Sequence, residues 1–134
     1  MNHRHQLAHI IDSLRLPYPV ADIMGVAVVW APAESRGLAG GQARFMPPGT
    51  IALTDLQIAV RGLSPDATAD LWREHMVRIA PAAAHELRHV QQRRDMGAVR
   101  FALMRAPVVR QLTIEREAYA VERAARHQLF GDLE

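Results

Sequence analysis

The sequence has no cysteine, no lysine, few aromatic residues and no long apolar run. The absence of cysteine excludes disulfides, iron–sulfur clusters, thiolate zinc sites and cysteine nucleophiles, so any bound metal must be held by nitrogen and oxygen. The longest apolar run, residues 26–33, is far shorter than the roughly 20 residues that span a bilayer. We therefore expect no membrane partner. The polar start of the chain does not resemble a secretory signal, and we expect a cytoplasmic protein.

The length of 134 residues suits one domain, and we expect a single domain over residues 1–134. With 49% hydrophobic residues, such a chain can bury a core large enough to be stable without a structural metal ion or disulfides. Sixteen basic residues, all arginine, oppose 14 acidic ones. Six arginines lie within residues 88–110, a segment whose only acidic residue is Asp95: Arg88, Arg93, Arg94, Arg100, Arg105 and Arg110. We interpret them as a solvated helical face and expect no nucleic-acid partner, while a metal-free nucleic-acid binder stays open as an alternative.

The first half of the chain predicts one helix and a small sheet. Apolar residues at helical spacing predict a helix over about residues 3–15, which the prolines at 17 and 19 must stop. Short apolar or alternating segments predict strands over 24–30, 43–46 and 50–54. The strand over 24–30 is predicted to be buried because it is apolar and β-branched.

The second half predicts helices alone, over about residues 65–79, 81–97, 98–106 and 113–131. Ser64 predicts an N-cap with Pro65 at the first helical position. Pro81 and Gly97 bracket the next helix, one opening it and the other closing it. The order of one helix, a small sheet and a helical half indicates an α+β fold. The helix over 81–97 has an apolar stripe predicted to be buried: Ala83, Leu87 and Val90.

Residues 85–89 have the sequence HELRH, the pattern H-E-x-x-H, inside the helix predicted over 81–97. Because positions four apart differ by about 40° around a helix axis, His85 and His89 project from one face and can bind one zinc ion. Glu86 lies beside them, where it can take a proton from a zinc-activated water without being a ligand. The alternative is a surface histidine pair whose intervening glutamate is merely solvated.

A catalytic zinc site uses three protein ligands and keeps one position open, so the chain must supply a third ligand after the motif. Three residues beyond the second histidine stands Gln92, where the metzincin pattern has a histidine. The last predicted helix offers Glu115, Glu117 and Glu122. Glu117 is about 200° around that helix from Glu115, so the two cannot both face the metal. Glu122 lies two turns from Glu115 on the same face.

The H-E-x-x-H motif, followed by EREAYA at residues 115–120, resembles the gluzincin zinc metallopeptidases and is most similar to their small members, the minigluzincins. The resemblance covers residues 81–126 and implies a zincin-like domain in which a second helix supplies the third ligand. It implies Glu115 as that ligand and Ala118 as the small residue where the two helices approach. Where gluzincins often have an aspartate that orients a histidine, this sequence has Tyr119.

The resemblance implies a zinc metallopeptidase, an endopeptidase rather than an exopeptidase, with Glu86 as general base. Tyr119 can accept a histidine N–H or donate to a developing oxyanion, and Arg116 is the alternative oxyanion donor. The expected partner is a peptide or protein substrate, which the strand over 50–54 would bind by strand addition. A catalytically silent zinc-binding module that acts through protein partners is the second hypothesis. The implied zinc ligands are His85, His89 and Glu115.

The other histidines are interpreted without a metal. His75 follows Glu74 on a predicted helix and is interpreted as a surface residue. His3, His5 and His9 lie at a chain end expected to fray, and we expect no physiological metal there.

Overall fold

The structure, a computed structural model, describes residues 3–31, 43–45, 57–104 and 106–131. These residues form mostly helices with one small sheet, which confirms the predicted α+β class. None of the helices within these ranges is both long and apolar enough to cross a membrane. In chain order the elements are α1 (His3–Asp12), a 3₁₀ turn (Ile23–Gly25), β1 (Ala27–Ala31), β2 (Ala43–Phe45), β3 (Gln57–Arg61), α2 (Ala69–Met96), α3 (Ala98–Met104), α4 (Pro107–Leu112) and α5 (Ile114–Phe130).

The sheet has three strands in the order β1-β3-β2. β3 pairs in parallel with β1, with Val29 opposite Ala59, and antiparallel with β2, with Arg44 opposite Ala59. Ile58 and Val60 are buried two residues apart, so one face of β3 lies in the core. The sequence analysis missed β3. It predicted instead a strand over 50–54, which lies outside the described residues.

The first helix and first strand are shorter than predicted. α1 ends at Asp12 rather than near residue 15, because the Ser13 hydroxyl donates to the Ile10 carbonyl at 2.6 Å and competes with the next helical bond. The predicted strand over 24–30 begins only at Ala27. The Asp22 side chain accepts from the Met24 amide at 3.0 Å and holds the chain in a 3₁₀ turn before it. β1 is also half-exposed rather than buried.

α2 is one helix of 28 residues where the sequence predicted two. It begins after Thr68, whose hydroxyl accepts from the Leu71 amide at 3.2 Å, so the predicted start near Ser64 and Pro65 is wrong. Pro81 lies inside the helix rather than opening one. An interior proline removes a hydrogen bond to the carbonyl four residues earlier, at a cost of about 3 kcal/mol. Its fully buried ring offsets part of that cost by packing.

Between α2 and α5 the chain forms two helices where the sequence predicted one. α3 ends at Met104 instead of residue 106, and α4 follows with Pro107 at its first turn. Thr113 precedes α5 but does not cap it through its side chain, because its hydroxyl donates to the Val109 carbonyl at 2.6 Å. Gly131 ends α5 with a φ of 70°, as predicted. One side of α5 is buried, at Ile114, Ala118, Val121 and Ala125.

α2 lies at the centre of the described structure. α1 and strands β2 and β3 contact it, and α5 packs along it. The buried stripe predicted for its second half is confirmed, since Ala83, Leu87 and Val90 are completely buried. Burial of this stripe in the core sets the rotation of α2 about its own axis. The two histidines of the H-E-x-x-H motif then face α5.

Candidate metal centre

The facing sides of α2 and α5 bring together His85, His89 and Glu115. The donor atoms of the three residues all lie within 4.8 Å of one another. Their side chains are nearly covered, with 8%, 10% and 15% of their surface exposed. Within the described residues, this is the group of imidazoles and carboxylates close enough to share a metal ion.

Small residues let the two helices approach at this point. Ala118, one turn after Glu115 on α5, is completely buried, as are Ala83 and Ala84 on α2. A larger side chain at these positions would hold the helix axes further apart. The predicted role of Ala118 as the residue of closest approach is therefore consistent with its burial.

One carboxylate oxygen of Glu115 faces both rings. Its Oε1 lies 3.3 Å from Nε2 of His85 and is in closer contact with Nε2 of His89. The ring centroids of the two histidines are 5.0 Å apart and the rings are tilted by 75°. Both imidazoles therefore present the same nitrogen to the same carboxylate.

Gln92 fixes the ring of His89. Nδ1 of His89 donates to Oε1 of Gln92 at 2.8 Å. The amide nitrogen of Gln92 is already committed as a donor, to the Ile114 carbonyl at 3.0 Å and to Glu117 at 2.9 Å. The proton of a neutral His89 therefore lies on Nδ1, which leaves the lone pair of Nε2 directed into the cluster.

Glu122 faces the outer nitrogen of His85. Its Oε1 lies 2.8 Å from Nδ1 of His85, at hydrogen-bond distance although the ring N–H is not well aligned with the oxygen. The other oxygen of Glu122 accepts from Arg126 at 3.1 Å. Sequence reasoning placed Glu122 on the face of Glu115, and the structure places it against the first histidine. A carboxylate of α5 thus stands beside the outer ring nitrogen of His85.

Glu117 does not face the cluster. Its Oε1 accepts from Arg88 at 2.8 Å and from Gln92 at 2.9 Å. Arg88 also donates to the Pro19 carbonyl at 2.6 Å, and its guanidinium lies 5.2 Å from the centre of the Tyr18 ring. Glu117 therefore has a structural partner, and Glu115 is the glutamate that meets both histidines.

The charges of the cluster are strongly coupled. Burial lowers the pKa of His85, but the carboxylates of Glu115, Glu122 and Glu86 outweigh it and raise that pKa to about 9. Burial raises the pKa of Glu115, yet the two imidazoles hold it well below its usual range. The metal-free protein therefore holds an imidazolium–carboxylate pair at neutral pH, and a cation must displace the His85 proton to bind there.

The donor set fits zinc. Two imidazole nitrogens and one carboxylate oxygen are borderline ligands that zinc binds at about 2.0–2.2 Å. Tetrahedral bonds of that length put ligand atoms roughly 3.3 Å apart, and the Nε2 of His85 lies 3.3 Å from the Glu115 oxygen. Both histidines have an oxygen beside the ring nitrogen that faces away from the cluster, the usual support for a metal-binding imidazole.

The remaining predicted site residues border the cluster. Glu86 is half-buried on α2, and its charge acts on His85. The ring of Tyr119 packs edge-on against His85 with centroids 4.7 Å apart, while 48% of the residue stays exposed. Burial and the charges of Glu115 and Glu122 raise the pKa of Tyr119, so its hydroxyl stays protonated and can donate. Arg116 is exposed.

Sequence reasoning missed Gln92 and Phe101. It treated Gln92 only as the absence of a third histidine. Its position one turn after His89 could have indicated a hydrogen-bond partner on the same helix face. Phe101 is buried on α3 with its ring 6.4 Å from that of His89. No periodic signal in the sequence places α3 against the motif.

Three interpretations of polar residues outside the cluster were wrong. His75 is buried rather than on the surface, and its Nε2 donates to the Arg61 carbonyl at 2.5 Å. His3 does not fray, since its ring stacks on Trp72 at 3.8 Å. Arg88 and Arg93 are buried, so the arginine stretch is not uniformly a solvated face.

A comparison of the chain with protein families, curated proteins and solved structures finds no match.

Proposed function

We propose that the protein is a zinc-dependent metallopeptidase of gluzincin type with a zincin-like fold. The observation that carries the proposal is the convergence of His85, His89 and Glu115 on one shared point. This arrangement joins the two halves of the sequence pattern, H-E-x-x-H on one helix and a glutamate on a second. His85, His89 and Glu115 would hold the metal.

Bound zinc lowers the pKa of a water molecule toward 7 and polarises a carbonyl group. Glu86 accepts the proton of the attacking water and donates it to the leaving amine. Its position next to His85 but outside the ligand group suits this role, because the Glu86 carboxylate is not one of the three groups that would hold the metal. The half-exposed Tyr119 donates its hydroxyl proton in a hydrogen bond to the carbonyl oxygen as negative charge develops.

The proposal is tested with Glu86→Gln, which keeps the shape of the side chain and removes its basicity. We expect the variant to bind zinc like the wild type and to hydrolyse a peptide library about 10²–10⁴-fold more slowly, the usual contribution of a general base. The control is Glu74→Gln, the same change at an exposed position of α2. Undiminished hydrolysis by Glu86→Gln, with the control equally active, would contradict the proposal.

The second hypothesis, a zinc-binding module without turnover, is favoured by the burial of the cluster. The three side chains expose at most 15% of their surface, which leaves a substrate little access. Zinc binding with no hydrolysis of any peptide in the library would support this hypothesis over the peptidase.

A further inference from the structure

Gln92 is a buried polar side chain at the place where α2 meets α5. It exposes 1% of its surface and is among the largest fully buried side chains of the described residues. Glutamine is mostly a surface residue, because burying an amide costs free energy unless its hydrogen-bonding groups find partners. An apolar side chain would fill the same space without that requirement. Packing alone therefore does not account for an amide at this position.

The hydrogen bonds of Gln92 connect the two helices that carry the candidate ligands. Its Oε1 accepts from Nδ1 of His89 on α2 at 2.8 Å. Its Nε2 donates to the Ile114 carbonyl at 3.0 Å and to Oε1 of Glu117 at 2.9 Å, both on α5. One side chain thus joins a histidine of the first helix to the start of the second.

The groups on α5 determine which way the Gln92 amide points. If its oxygen and nitrogen were exchanged, the oxygen would face the Ile114 carbonyl and the Glu117 carboxylate, which are both acceptors. The amide oxygen is therefore directed at His89. The hydrogen bond that orients this ring depends on α5 as well as on α2.

The bond to Ile114 also acts on the third candidate ligand. The Ile114 carbonyl belongs to the peptide group that joins Ile114 to Glu115. Because a peptide group is planar and rigid, holding its carbonyl oxygen also restricts the position of the next Cα atom. Gln92 therefore holds the backbone from which the Glu115 side chain projects toward the two histidines.

We propose that Gln92 is a positioning residue of the metal centre that holds the ligands of both helices, His89 directly and Glu115 through the Ile114 carbonyl. This inference rests on the proposed zinc site. Ligands that are held in place by hydrogen bonds from neighbouring side chains bind a metal more tightly than ligands left to their own rotamers. Loss of Gln92 should therefore lower metal affinity, and not stability alone.

The test is Gln92→Met, which keeps the length of the side chain and removes its hydrogen bonds. We expect competition with a chromophoric chelator to show zinc affinity about 10–100-fold weaker than in the wild type. The visible absorption spectrum of the cobalt-loaded protein should also change, because it reports the ligand geometry around the ion. The control is Gln91→Met, the same change at the next residue of α2, where the amide donates to Asp95 at 2.9 Å. It should match the wild type in both measurements.

A second variant separates positioning from stability. Glu117→Gln removes the charge that faces Arg88 but leaves the bonds from Gln92 to His89 and to Ile114. It should unfold at a lower denaturant concentration and keep zinc affinity close to that of the wild type. If Gln92→Met does not fold, Gln92→Asn replaces it, since this amide is one carbon too short to reach both helices and should also weaken zinc binding.

Zinc binding by Gln92→Met as tight as in the wild type, or an unchanged cobalt spectrum, would overturn the proposal. Equal losses of affinity in Glu117→Gln and Gln92→Met would also overturn it, because affinity would then follow stability. The outcomes separate this proposal from the peptidase. A wild type that binds zinc but hydrolyses no peptide, with weaker binding by Gln92→Met, supports the role of Gln92 and removes the peptidase. An active Gln92→Met with unchanged zinc affinity does the reverse, and a wild type that binds no zinc removes both.

Discussion

Glu115 and Glu117 are two residues apart on α5 but have different partners. Glu115 meets both histidines of the motif, whereas Glu117 pairs with Arg88 and Gln92. The two side chains therefore offer a matched pair of substitutions in which one should affect the metal and the other the fold.

Glu115→Ala should lose most of its zinc, because two imidazoles alone leave a zinc site one ligand short. Glu117→Ala should keep one zinc per chain and lower the free energy of unfolding by roughly 1–3 kcal/mol, because the buried Arg88 loses its carboxylate partner. Elemental analysis and denaturant unfolding of both variants check this. A zinc-replete Glu115→Ala beside a zinc-free Glu117→Ala would show that the ligand assignment is wrong.

In the proposed zinc site, Glu122 would act on the metal through His85. Removing its charge in Glu122→Gln should weaken zinc affinity about 10–100-fold, the usual effect of a lost carboxylate partner of a ligating histidine. Competition with a chromophoric chelator measures this change, and saturating zinc should still give one ion per chain. As the control, Arg126→Gln removes only the outer partner of Glu122 and should change the affinity less.

At the scale of single residues, the sequence predicted which three side chains come together between α2 and α5. Helix geometry alone predicts that His85 and His89 project from the same face of a helix. The resemblance to the gluzincins implies Glu115 as their partner. Gln92 could not be identified in the same way, because its function depends on where Ile114 and Glu117 lie on another helix. Contacts between elements are not encoded in the local spacing of either one.

At the scale of elements, the crossing of α2 and α5 determines the site. Ala118 is completely buried at this crossing. Ala118→Leu adds a branched side chain to a packed position, and we expect it to cost about 1–3 kcal/mol of stability. By separating the helices it should also weaken zinc binding.

The control for Ala118→Leu is Ala120→Leu, because Ala120 is half-buried on the same helix. We expect it to cost less and to leave zinc affinity unchanged. Thermal unfolding and zinc titration of the two variants measure both effects. Equal zinc affinity in Ala118→Leu and the wild type would contradict a site that depends on close helix approach.

The boundaries of elements were harder to predict than their order. Pro81 was interpreted as a helix start, since local rules place proline at the first turn. In the structure its ring is buried inside α2, so tertiary packing overrides the local preference. β3 was missed for a similar reason. Ile58 and Val60 form a strand because β1 and β2 pair with it on either side.

For the whole molecule, the coupled charges of the cluster predict opposite effects of pH on stability and on metal binding. The pKa of His85 is raised from 6.5 to about 9 in the folded protein. Its contribution to the stability of the metal-free protein is therefore fully present below pH 6.5 and is lost as the pH rises through 9. The lowered pKa of Glu115 contributes stability above its ordinary value of 4.5, which is lost at more acidic pH.

The metal-free protein should accordingly be most stable in mildly acidic solution and lose stability between pH 6.5 and about 9. Zinc affinity should rise over the same range, because the proton on His85 competes with the metal. Thermal melts with and without chelator across this range measure both trends. Metal-free stability that increases toward pH 9 would contradict the assigned coupling.

The most direct test of the central claim is a crystal structure of the zinc-loaded protein with anomalous diffraction recorded at the zinc edge. The account predicts one strong peak between α2 and α5, about 2.0–2.2 Å from Nε2 of His85, Nε2 of His89 and a carboxylate oxygen of Glu115. A zinc peak bound by other residues, or no peak between the two helices at saturating zinc, would contradict it.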